Sequence, residues 1–61
     1  MKVYATEING NVYYGYLEKS RAVEDIMSMT GYDKDYVEKQ IEDYGAVDDF
    51  YSIREIDVFE Y

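Results

Sequence analysis

Val3-Tyr4-Ala5-Thr6-Glu7-Ile8, then Asn9-Gly10, then Asn11-Val12-Tyr13-Tyr14-Gly15-Tyr16-Leu17: this stretch decides the fold. Two runs rich in β-branched and aromatic residues flank an Asn-Gly pair, the strongest short-range signal of a β-hairpin. A type I′ turn needs positive φ at both central residues, and Asn followed by Gly tolerates that better than other pairs. The expected register sets Ile8 opposite Asn11, Glu7 opposite Val12, Ala5 opposite Tyr14 and Val3 opposite Tyr16. One face then reads Val3, Ala5, Val12, Tyr14 and Tyr16, the other Tyr4, Thr6, Ile8, Tyr13 and Leu17. An isolated hairpin is marginal in water, so the remaining chain must cover one of these faces.

Beyond the hairpin, Ser20 is a suitable N-cap for a helix over 21–30. Ala22, Val23, Ile26, Met27 and Met29 form its apolar stripe, while Arg21, Glu24, Asp25 and Ser28 face water. Gly31 follows as the C′ residue. Asp33 caps a second helix over 34–44, with Tyr36, Val37, Ile41 and Tyr44 turned inward and Gly45 ending it. The closing stretch, 50–61, has strand character with a phase change. Tyr51 and Ile53 share one parity and Ile56 and Val58 the other, which predicts a β-bulge near Arg54-Glu55 or a strand starting near Ile53. The order is ββααβ, one domain over 1–61. An α+β fold is expected: a three-stranded sheet in order 2-1-3 with both helices on one face.

Composition removes whole classes of function. There is no Cys and no His, so disulfides, thiolate metal sites and histidine acid–base catalysis are out of reach. The four Gly have structural duties at the turn, in a strand and after the helices, and form no phosphate loop. Asp48-Asp49, with Glu55 and Asp57 further on, lacks calcium-loop spacing. No catalytic residue, cofactor or metal is expected, and 61 residues seldom build a substrate cleft. No apolar run reaches the roughly 18 residues of a membrane span, and no signal peptide is evident. A soluble, cytoplasmic protein is expected.

What remains is charge and tyrosine. Fourteen Asp and Glu against six Lys and Arg give a net −8, and nine residues are Tyr. Such acidity opposes direct binding of nucleic acid or of anionic membranes and suits a protein partner with a basic surface. Carboxylates on a rigid scaffold can also occupy places like those of phosphates along a duplex and so block a nucleic-acid channel. The plainer alternative is that the charge keeps the protein soluble while Tyr fills a shallow core. The candidate partner-binding residues are Asp35, Glu38, Glu42 and Asp43 on the second helix, Asp48 and Asp49 in the loop after it, and Tyr13 and Tyr32 as aromatic anchors.

Lys2-Val3-Tyr4-Ala5, the run from Tyr14 to Ala22 and the closing Tyr51-Ser52-Ile53-Arg54-Glu55-Ile56-Asp57-Val58 together resemble a class of short acidic phage and bacterial α+β proteins. In these a hairpin leads into a helix and the last strand carries acids; this chain departs from them in its second helix. The resemblance implies phage provenance and a role in binding and inhibiting a host protein, such as a defence enzyme. The expected function is therefore that of a non-catalytic inhibitor acting by protein binding, with mimicry of nucleic acid as one route and a contact surface of other chemistry, such as exposed tyrosines, as another. The rival is a self-associating structural module, and a homodimer is expected because two aromatic strand faces cannot both be covered by so short a chain.

Overall fold

The computed structural model describes residues 1–59. Strands β1 (Lys2–Ile8) and β2 (Asn11–Tyr16) are followed by helices α1 (Lys19–Thr30) and α2 (Lys34–Tyr44) and by strand β3 (Tyr51–Asp57). The sheet has order β2-β1-β3, and β1 is antiparallel to both neighbours. The fold is thus the expected ββααβ layer, with Glu60 and Tyr61 of the predicted last strand outside the described residues.

The hairpin turn forms as its sequence requires. Asn9 (φ 52°) and Gly10 (φ 83°) are both left-handed, and Ile8 faces Asn11. Past Val12 the expected register fails, because β2 carries a β-bulge. Thr6 lies opposite Tyr14, Ala5 opposite Gly15 and Tyr4 opposite Tyr16. One extra residue in β2 moves Tyr14 and Tyr16 to the face of Tyr4 and Thr6, away from that of Val3 and Ala5.

No bulge interrupts β3. It pairs residue for residue with β1, from Lys2 opposite Asp57 to Ile8 opposite Tyr51. Its phase change has another cause: Tyr51 and Ile53 serve the helix side of the sheet, and Ile56 the other side, opposite Val3. The Thr6 hydroxyl donates to Asp25 on α1 at 3.0 Å, which fixes the side on which the helices lie. Asp25 is accordingly half-buried rather than solvent-facing. Burial, and after it the Asp25 carboxylate, push the Tyr16 phenol above its ordinary pKa.

α1 starts earlier than Ser20 allows. Its N-cap is Glu18, in extended backbone and without a side-chain hydrogen bond. α2 matches its expected limits, with the Asp33 carboxylate accepting from the Tyr36 backbone N–H at 2.9 Å. Gly31 and Gly45 end the helices with φ near 80°. The core is aliphatic and small: Val23, Ile26, Val37 and Val47, with Met27, Met29, Ile41, Tyr51 and Ile53 packed around them. Tyr36 and Tyr44 do not turn inward; they are 43% and 71% exposed. None of the eight described tyrosines is fully buried, and among them Tyr51 alone packs against this core, so tyrosine does not fill it.

Candidate binding surface on the second helix

α2 packs against α1 through Val37, which is fully buried, and Ile41, which is half-buried. At 100° per residue this orients Asp35, Glu38 and Glu42 away from the core as one stripe with i, i+3, i+7 spacing. All three are exposed. The stripe covers about 10 Å of helix axis, close to the axial length of three nucleotides in one duplex strand. Glu38 and Glu42 also border an open cleft of about 490 Å³ between the helices, whose other walls are Lys19, Val23 and Ile41.

Asp43 belongs to a different arrangement. Lys39 stands 3.5 Å from it, one helical turn back, and offsets its charge. Asp48 and Asp49 flank a smaller hollow of about 220 Å³ together with Gln40, Tyr44 and Ala46. Both aspartates have positive φ, 56° and 52°, and the Phe50 N–H returns to the Val47 carbonyl at 3.0 Å. That is a second mirror-image turn, built on Asp-Asp where Asn-Gly or Asp-Gly would be relaxed. Sequence reading found a loop here and missed its conformation, since no glycine marks it. Asp57 pairs at the far end of β3, so it does not join Asp48 and Asp49 in one cluster.

Of the two aromatic anchors, Tyr32 is fixed and Tyr13 is not near the acids. The Tyr32 hydroxyl donates to Asp48 at 2.8 Å, and its ring packs against that of Tyr36 at a tilt of 55° with centroids 4.6 Å apart. The hydrogen bond to Asp48, then its charge, raise the Tyr32 phenol above its usual pKa. This bond ties the α1–α2 connection to the α2–β3 turn. Tyr13 occupies the bulge of β2, 60% exposed on the other edge of the sheet from β3.

Residues 33–49 thus hold seven acids and two lysines, a net −5 of the chain's −8. α1 carries Lys19, Arg21, Glu24 and Asp25 and is neutral. Among the described residues no group of three or more potential ligands could hold a metal ion, and no helix is long and apolar enough to cross a membrane. A scan against family models and searches of curated proteins and of solved structures return no match to this chain.

Proposed function

We propose that this chain is a non-catalytic binding module that seats the acidic face of α2 on a basic surface of another protein, where nucleic acid would otherwise bind. The observation that carries this reading is the outward stripe of Asp35, Glu38 and Glu42 within a segment of net −5, beside a neutral α1. A charge distributed only for solubility has no reason to gather on one helix and its following turn. Concentrated on rigid backbone, it gives a field that steers a cationic groove into place and competes with phosphates for it. Inhibition of a nucleic-acid-processing enzyme follows from such competition, and a phage origin accords with a host enzyme as the target.

The test is capture of host proteins on the immobilised chain, at low and at raised salt and with competing duplex DNA. The reading expects retention of nucleic-acid-binding proteins, lost with salt and displaced by DNA. Replacing Asp35, Glu38 and Glu42 together by Lys should slow association by about tenfold or more, with the helical circular dichroism unchanged. A folded triple variant that retains the same proteins equally well would remove the mimicry reading.

A further inference from the structure

We propose that the helix-free face of the sheet is the surface through which two copies of this chain associate. Both helices lie on the Thr6 side, where Asp25 meets the Thr6 hydroxyl. The opposite side carries Val3, Ala5 and Glu7 from β1, Val12 and Gly15 from β2, and Arg54 and Ile56 from β3, with Ala5 and Glu7 buried at its centre. Val12 is 58% exposed and Ile56 37% exposed. This is the surface that the phase change in β3 creates, since Ile56 leaves the helix-side pattern in order to sit beside Val3.

Charge identifies the occupant. The chain is −8, yet Glu7 and Arg54 are the charged residues of this face and they cancel. A basic partner gains nothing here that α2 does not offer better. Two copies of a −8 chain repel everywhere except where the charge vanishes, and this face is such a place. The pair that cancels is made within each chain. Glu7 is nine-tenths buried, its side chain 9% exposed, and its Oε2 lies 3.3 Å from Arg54 Nη2 without making a hydrogen bond. Arg54 is 60% exposed and keeps free donors. Across a two-fold axis the exposed Arg54 guanidinium, its charge already offset by Glu7 of its own chain, meets the other copy's face without net repulsion.

Size sets the strength. Three strands, two of seven residues and one of six, at ~3.3 Å rise and ~4.8 Å spacing give a footprint of roughly 300 Å² per copy. Stable interfaces bury about 800 Å² per partner, so this dimer is weak and dependent on concentration. The alternative, pairing through the β2 edge, has an uncharged strand in its favour, but the bulge at Tyr13 is a device that blunts edges.

The experiment is sedimentation equilibrium of the full chain from micromolar to millimolar concentration at two salt levels. The average mass should climb from 7.2 kDa towards twice that value, and climb further at higher salt, where like-charge repulsion is screened. That salt dependence is opposite in sign to the one expected for target binding through α2, so the two readings fail separately. Ile56→Glu and, independently, Val12→Glu place an unpaired charge on the face from its two sides and should each weaken association at least about tenfold. Tyr14→Lys, on the helix side of the β2 edge, should change it little. A chain that stays monomeric at millimolar concentration and high salt overturns the proposal. So does association that survives both carboxylate substitutions, or that is abolished by Tyr14→Lys alone.

Discussion

Gly10 stands at φ 83°, and nothing lies within 4 Å of the position a Cβ would take. The cost of Gly10→Ala is therefore conformational and not steric: the left-handed region disfavours a Cβ by about 1–2 kcal/mol. Thermal unfolding should show a fall of several degrees, and an unchanged midpoint would mean that the turn relaxes to another type. The converse substitution applies at the second mirror-image turn. Asp49 holds φ 52° with a side chain that pays for it in strain. Asp49→Gly should stabilise by about 0.5–1 kcal/mol after the greater freedom of glycine in the unfolded chain is subtracted. A lower melting temperature would show that some interaction of the Asp49 carboxylate outweighs the strain. Asn9-Gly10 was legible because its residues announce positive φ. Asp48-Asp49 was not, because the tertiary fit of Val47 in the core imposes it.

At the scale of the elements, the two helix starts differ in quality. Asp33 caps α2 through its side chain, whereas Glu18 begins α1 with φ −124° and ψ 133° and no cap hydrogen bond. That backbone is the one an N-cap adopts, and the carboxylate is one methylene too long to close on the first-turn amides. Glu18→Asp keeps the charge at the positive end of the helix dipole and shortens the side chain. It should raise stability by about 0.5–1 kcal/mol, measured by denaturant midpoint at constant slope. No gain would mean that the first turn is already satisfied by water. Ser20 misled the sequence reading because it is the better cap by type. The chain needs its helix sooner, directly after β2 ends at Tyr16, to bring Ala22, Val23 and Ile26 down onto the sheet. The bulge in β2 has the same character: one residue, invisible in a strand-favouring run, reassigns two tyrosines to the other face.

For the molecule as a whole, the division of surfaces matters more than any single contact. The buried core is four aliphatic side chains with a partly covered rim, which places stability near the lower limit for a chain of this length. The radius of gyration is 11.3 Å, and the body is elongated, 39 × 19 × 19 Å, against about 10.5 Å for a compact chain of this size. An acidic α2 side and a neutral sheet face lie on different parts of that body, so a dimer joined by its sheets still presents two copies of the Asp35, Glu38 and Glu42 stripe outward. What the sequence determined by itself is the element order, the Asn9-Gly10 turn, the limits of α2 and the concentration of acid within 33–49, because each rests on local chemistry: turn propensity, capping, periodicity and counted charge. What only the tertiary structure decided is which face each strand residue serves, which acids remain unpaired, and that most of the described tyrosines stay outside the core. Those depend on one bulge and on where α1 lands on the sheet, and no local preference encodes the position of one element against another.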